Sequence, residues 1–230
     1  MTYKKERLRL LKVNEIFETI QGEGVYTGVP SIFLRLQGCP VGCAWCDTKH
    51  TWEVDACAQV ALVDVADKDQ DSNTWSNTTI SELITYFQEH WTAKHVVITG
   101  GEPCMYDLTD LTTQLEKNGF SCQIETSGTF EIKTTPDTWV TVSPKVNMKG
   151  GFKILGSAVG RANEVKHPVG TEKDIENLVK MLGEHETKKD VVIALQPISQ
   201  KPRATELCIQ HCIVNNWRLS IQTHKYLQIA

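Results

Sequence analysis

The stretch "SIFLRLQGCPVGCAWCDTKH", residues 31–50, joins a strand to a chemical question. Residues 31–37 run apolar and β-branched, as a buried strand does, and the run breaks at Gly38. Cys39, Cys43 and Cys46 follow in C-x₃-C-x₂-C spacing, and no fourth cysteine lies close by. A protein site for one metal ion usually closes on four ligands. Three thiols that stop short of that number need another explanation.

Working outward, further apolar runs fall at 95–99, 122–126, 139–143, 163–167, 191–196 and 217–222. Helical patterns lie between several of them. In "TTISELITYFQEH", Thr79 and Glu82 form a capping box ahead of Ile80, Leu83, Ile84 and Phe87. "DLTDLTTQLEKNG" begins at a candidate cap, Asp107, and ends at Gly119, a suitable C′ residue. "EKDIENLVKMLG" repeats the spacing with Ile175, Leu178, Val179 and Leu182 on the expected buried face. This alternation predicts an α/β fold, a parallel sheet with helices packed on it.

Polar motifs end these strands in turn: the cysteines, "TGGEP" (99–103), "ETSG" (125–128), "SPK" (143–145), "KHP" (166–168), "QPIS" (196–199) and "QTHK" (222–225). Parallel strands point one way, so the motifs gather at the carboxyl face, where such folds place their active sites. A generic turn does not demand Gly-Gly-Glu-Pro, nor Ser-Pro-Lys after an apolar strand.

The 230 residues suffice for one large domain, taken as 1–230, with a net charge of −4 that gives no footprint for nucleic acid. No apolar run approaches a membrane span, and "MTYKKERLRLLKV" lacks the apolar core of a signal peptide. Eight cysteines in that setting imply a reducing cytoplasm. An acidic insertion at 53–79 carries six acidic residues and one lysine. Its alternating Asp67, Asp69 and Asp71 mimic a calcium loop, but Ser72 and Thr78 stand where glycine and glutamate belong, so a solvated insertion is expected.

Spacing leaves two readings of the cysteines open. Cys46-x₃-His50 can complete a Cys₃His zinc site. Alternatively the three thiols hold three irons of a [4Fe–4S] cluster and leave the fourth open to a ligand. Gly38 and Gly42 give the backbone freedom to wrap such a cluster, and Trp45 can shield it or face a cofactor.

The cysteine loop with an aromatic before its last thiol, followed by "GGEP", resembles the radical S-adenosylmethionine superfamily. In that superfamily S-adenosylmethionine chelates the open iron, and an electron from the cluster cleaves it to a 5′-deoxyadenosyl radical. "FETIQGEG", "FLRLQGCPVGCAWCDTKHTW", "VVITGGEPC", "IETSGT", "VSPK", "IALQPIS" and "QTHKYL" narrow the resemblance over nearly the whole chain to its deazapurine-forming branch, in queuosine biosynthesis. The implied fold is an incomplete, modified β/α (TIM-like) barrel in a homodimer. The implied reaction converts 6-carboxy-5,6,7,8-tetrahydropterin to 7-carboxy-7-deazaguanine with loss of ammonia, assisted by Mg²⁺. Its reductant would be a flavodoxin-type donor.

The resemblance also implies residue roles. Cys39, Cys43 and Cys46 would hold the cluster. Trp45, Cys46, Asp47, Gly101, Glu102, Ser143, Pro144, Lys145 and Gln196, Pro197, Ile198 and Ser199 would meet S-adenosylmethionine. Thr48 would bind Mg²⁺. Ile20, Gln21, Gly22, Glu23, Arg35, Thr99 and His224, with Lys225 behind them, would meet the pterin, and Arg35 its carboxylate. No protein group is expected to act as the catalytic radical. This chain has the short form of the cysteine loop, and the part of its terminal carboxylate at Ala230 stays open. Rival readings are an activase that places a glycyl radical on a partner protein, and a zinc-binding interaction module.

Overall fold

In this computed structural model, residues 10–229 are described. The opening stretch forms strand β2 (Pro30–Leu36), antiparallel to β1 (Leu11–Ile20), which in turn pairs with β3 (Ser76–Thr78). From β2 the sheet proceeds in parallel through β4 (His95–Gly100), β5 (Ser121–Thr126), β6 (Trp139–Val142), β7 (Glu164–Val169), β8 (Val192–Pro197) and β9 (Arg218–Leu219). Apart from β3, which lies outside β1, spatial order follows chain order, as in a singly wound barrel, but β3 and β9 remain as edges. The result is the incomplete barrel expected. The single strand of each predicted parallel run is present, β9 shortened to two residues.

Alternation along the strands divides two environments. Ile32, Leu34 and Leu36 of β2, Val96 and Ile98 of β4 and Ile124 of β5 face outward. They pack on α1 (Ile80–His90) through Leu83, Ile84 and Phe87, and on α2 (Thr109–Lys117) through Leu111 and Leu115. A second cluster joins Val140, Val142, Val165 and Leu195 to α4 (Glu172–Glu184) and α5 (Pro202–Asn215), while α3 (Gly156–Arg161) adds Val159. Each such aliphatic side chain contributes about 1.5–3 kcal/mol on burial. The inward positions are instead polar: Gln123, Glu125, Thr141, Glu164 and Lys166 all lie inside.

Several local expectations change. The Thr79–Glu82 capping box forms as read, and Gly119 takes a left-handed φ of 83°. Asp107 is not the cap of α2: its Oδ1 accepts from Thr109 N, and Leu108 occupies the cap position. On α4 the buried face is Ile175, Leu178 and Met181, with Val179 54% exposed, because the helix meets the sheet one position round from the predicted stripe. The acidic insertion is more than solvated chain. Val65 and Trp75 are buried, Trp75 Nε1 donates to Asp55 O, and β3 extends the sheet.

The β1–β2 turn, residues 21–29, folds into the barrel. Tyr26 packs at 4.4 Å against His95 at the start of β4, the rings tilted by 31°, and meets Trp139 of β6 edge-on at 5.2 Å. Val25 N donates to Glu164 of β7, Gly24 N to Ser220 Oγ, and Thr223 N to Gly22 O. One turn thus bridges the two sides of the open sheet and makes a floor for what lies above it.

Candidate active site

The carboxyl ends of β2 and β4–β8 surround a cavity of about 480 Å³, within the usual range for a ligand site. The cysteine loop forms one wall. Gly38 and Gly42 sit at φ 106° and 71°, which a side chain rarely tolerates. Gly38 N donates to Thr51 O, Cys39 N to Trp52 O and Gly150 N to Val41 O, pinning the loop on both sides. All three thiols line the cavity, yet among the described residues they form no set able to hold a single metal ion. A zinc ion would draw them to about 2.3 Å from one point. His50, the fourth ligand such a site needs, lies outside the cavity lining with Nδ1 3.8 Å from Asp71. Three thiols on the cavity with His50 apart from them leave the donor set one short of a closed zinc site, which is what a cluster with one open iron requires.

Glu102 stands beside that wall with both oxygens engaged. It accepts from Cys104 N (3.0 Å), Thr126 Oγ1 (2.6 Å), Ser127 N (2.8 Å) and Ser127 Oγ. Four donors fix its carboxylate and tie the end of β4 to that of β5. Lys145 donates to Ser143 Oγ at 2.8 Å on the neighbouring rim. Thr48 caps no helix with its hydroxyl, which lies 3.6 Å from Cys46 Sγ.

The floor is a buried charge cluster. Lys166 Nζ lies 2.7 Å from Glu23 Oε2 and 3.0 Å from Glu125 Oε2, while Gln222 Nε2 donates to Glu23 Oε1 at 2.8 Å. Burial pushes Glu23 up, but the Lys166 charge and the hydrogen bonds from Lys166 and Gln222 outweigh it and hold Glu23 at about 2. One ammonium cannot serve every carboxylate. Burial, with the charges of Glu23 and Glu164, lifts Glu125 to about 7 in spite of Lys166. Lys166 resists burial because three carboxylates surround it, and it stays charged. His224 packs over Gly22, where an added Cβ would meet its ring, and burial lowers its pKa against the pull of Glu23.

Arg35 completes the chamber. Its Nε donates to Glu15 Oε2 at 2.9 Å and its guanidinium carbon lies 5.8 Å from the Phe17 ring centroid. Among the described residues its two terminal nitrogens make no hydrogen bond, so a planar fork is left for an acid.

Every residue predicted for the site lines this cavity except Pro144, which is buried and does not reach it. A proline at that point ends β6 and aims its neighbours Ser143 and Lys145 inward. The question of Ala230 lies outside the described residues. Missing from the sequence reading were Glu125, Lys166 and Gln222 on the floor and Phe17 and Phe33 on a side wall, stacked at 5.2 Å. "ETSG" and "KHP" marked the right strand ends, but not that a residue of each motif turns inward.

Comparison with known proteins supplies the family. Residues 34–145 match the Radical SAM superfamily. The chain is 60% identical over 219 residues, 95% of its length and 98% of the relative's, to 7-carboxy-7-deazaguanine synthase of Escherichia coli (strain K12). The chain belongs to the 7-carboxy-7-deazaguanine synthase family. A relative of that name from Buchnera aphidicola subsp. Schizaphis graminum is 50% identical, covering 94% of this chain and 98% of its own. A crystal structure of QueE from Escherichia coli superposes with a TM-score of 0.90 at 58% identity, over 93% of this chain and 94% of that one. The family's iron–sulfur and S-adenosylmethionine chemistry agrees with the three-cysteine wall.

Proposed function

We propose that this chain converts 6-carboxy-5,6,7,8-tetrahydropterin to 7-carboxy-7-deazaguanine, with release of ammonia, in the making of a 7-deazapurine. The observation that carries the reading is one chamber with a three-thiol wall at one end and an acidic floor beneath Arg35, whose terminal nitrogens have no partner among the described residues. When bound, the cluster and S-adenosylmethionine supply the one-electron chemistry that begins the reaction. Cys39, Cys43 and Cys46 hold the cluster, Trp45, Asp47 and Gly101 meet S-adenosylmethionine, and Ser143, Lys145 and Gln196 to Ser199 line its nucleoside. Glu102 acts here by ordering the wall, since its oxygens are already taken by Thr126, Ser127 and Cys104.

The protein's own share is orientation and exclusion of water. A pterin presents N–H donors on its aminopyrimidinone edge, and Glu23 and Glu125 are acceptors for them. Ile20, Gln21, Gly22, Thr99 and His224 frame the ring. Arg35 takes the carboxylate, and Thr48 gives a hard oxygen to Mg²⁺, with substrate and water filling the remaining positions. The same reading includes a flavodoxin-type reductant, a homodimer and a reducing cytoplasm. Eight free cysteines suit that compartment. Among the described residues no helix is long and apolar enough to cross a membrane.

Anaerobic reconstitution followed by turnover tests this. The reduced enzyme with S-adenosylmethionine is expected to form carboxydeazaguanine, more slowly without Mg²⁺. If mass spectrometry finds only 5′-deoxyadenosine beside unchanged pterin, the substrate assignment fails although the radical chemistry stands. Arg35→Ala is expected to raise the KM for pterin roughly 10- to 100-fold, the value of a charge-assisted fork, with iron content normal. Loss of iron in that variant would make Arg35 a structural residue instead.

A further inference from the structure

A hydrogen-bonded chain runs through the barrel interior beneath the charged floor, and nothing in the reaction above uses it. It begins at Ser121, exposed at the amino end of β5, whose Oγ lies 2.9 Å from His95 Nδ1. His95 Nε2 lies 2.9 Å from Gln123 Oε1. Gln123 Nε2 then donates to Glu125 Oε1 at 2.9 Å and to Thr141 Oγ1 at 3.2 Å. Gln21 Nε2 adds a second donor to Gln123 Oε1 at 3.3 Å. We propose that His95 is a positioning residue for Glu125, acting through the Gln123 amide. The inference rests on the reading of Glu125 as an acceptor for the pterin.

An amide oxygen can only accept, so with Gln123 Oε1 toward the ring His95 carries its proton on Nε2, and Nδ1 shares the Ser121 hydroxyl proton with Lys94 O, 3.3 Å from Oγ. Burial lowers the His95 pKa, which favours the neutral ring, against the pull of the Gln123 hydrogen bond. Tyr26, its ring centroid 4.4 Å away and tilted by 31°, packs against the imidazole and limits its rotation. With its oxygen committed, Gln123 can turn only its NH₂ group toward Glu125. Were the amide to rotate, its oxygen would face a carboxylate oxygen at 2.9 Å, and Glu125 would have to be protonated to remain there. The chain therefore transmits orientation. It is not a proton path, because an amide does not readily pass protons along.

This matters because Glu125 is balanced near neutrality. The charged groups that face it are Lys166 and Glu164 from β7 and Glu23 from the β1–β2 turn. Arg35 of β2 and His224 and Lys225 of α6 (Thr223–Leu227) line the same chamber. Among these Lys166 favours the carboxylate, while Glu23 and Glu164 oppose it. The Gln123 N–H is a neutral donor that adds to the favourable side without adding charge. Losing a hydrogen bond to an ionised group costs about 1.5 kcal/mol, or about one pH unit.

The test is binding of 6-carboxypterin, a fluorescent and unreactive pterin, to the protein from about pH 5.5 to about pH 9. Wild-type affinity is expected to fall as the pH drops through about 7, where Glu125 takes up its proton. His95→Leu is expected to move that midpoint up by about one pH unit. His95→Gln keeps an N–H at the same reach and is expected to restore it. Gln123→Met, of similar shape, should shift the midpoint as His95→Leu does, and the double variant should shift it no further. Iron loading and melting temperature report whether each variant folds, and Gln123→Met carries the test if His95→Leu does not. An unmoved midpoint in a folded variant, or additive shifts in the double, overturns the positioning role alone. Absence of pterin binding by the wild type at every pH overturns the pterin reading as well.

Discussion

Lys166→Met is expected to destabilise the protein by about 3–5 kcal/mol at neutral pH and to abolish pterin binding. Lys166 is 4% exposed and bridges Glu23 and Glu125 from the middle of β7. Methionine fills the same space, so packing is nearly kept while the counter-charge is lost. Glu23 and Glu125 are then carboxylates largely withdrawn from water, with Glu164 beside them and Lys166 no longer between them, and the driving force is to take up protons. The sign of the pH dependence follows. In the variant their folded pKa values rise above the ordinary 4.5, so protonated carboxyls cost little below that pH and the deficit grows as pH climbs past it. In the wild type Glu23 behaves oppositely. Held at about 2, it contributes stability above 4.5 that is lost only as pH falls toward 2. Urea unfolding from about pH 2 to about pH 8 measures both trends. Adding Glu125→Gln to Lys166→Met removes one orphaned charge and should recover part of the loss. A deficit below about 1 kcal/mol with no pH dependence would show that the floor tolerates free carboxylates, and the account of the cluster would fall.

That cluster also marks where reading the chain as a string runs out. The parallel strands were legible because each is a β-branched run bounded by polar residues, a pattern local in sequence. β1 was not legible. "LKVNEIFETI" carries Glu15 and Glu18, which look like solvent-facing charges. In the fold Glu15 holds Arg35, twenty positions on, and Glu18 accepts the backbone N–H groups of Thr92 and Ala93, more than seventy positions on. Lys166 is the same case, its partners coming from the β1–β2 turn and from β5. Charge satisfied across such distances leaves no mark in any short window.

Helix α5 misleads differently. Its buried stripe is Ala204, Cys208 and Cys212, small residues four apart, whereas Ile213 and Val214 are exposed. Hydropathy alone points its larger apolar residues the wrong way, and only close approach to the sheet explains the small ones. The site was more legible than its floor, since glycines, cysteines and Gly-Gly-Glu-Pro announce constrained backbone at fixed offsets. Glu125 sits in an ordinary-looking polar strand end and Gln222 at the cap of α6, and their inward direction comes from strand parity in the first case and from the turn that folds beneath them in the second.

Gly101→Ala is expected to strip the protein of its cluster while leaving the rest of the fold in place. Gly101 N donates to Leu36 O and Glu102 N to Gly38 O, both at 2.9 Å, so this backbone lies directly against the entry to the cysteine loop. A methyl group at Gly101 would fall far inside contact distance of the Gly38 carbonyl and 3.1 Å from Cys39 Cβ. The obstacle is main chain, which cannot swing aside as a long side chain can. Gly38 is held from its other side by Thr51 and Cys39 by Trp52, so relief must come from moving the loop that carries the first thiol. A displacement of about 1 Å at a reacting centre costs roughly 10²-fold in rate, and a shifted thiol loses its iron as well. Iron and sulfide content, with the broad visible absorbance of the cluster, should fall to background together with turnover, while far-ultraviolet circular dichroism stays native. Gly119→Ala is the companion measurement. It faces no atom within 4 Å but holds φ at 83°, so it should cost about 1 kcal/mol in stability and leave iron content untouched. A Gly101→Ala protein with a full cluster and wild-type turnover would mean that the loop yields freely, and that the close approach of β4 to the thiols has no part in holding them.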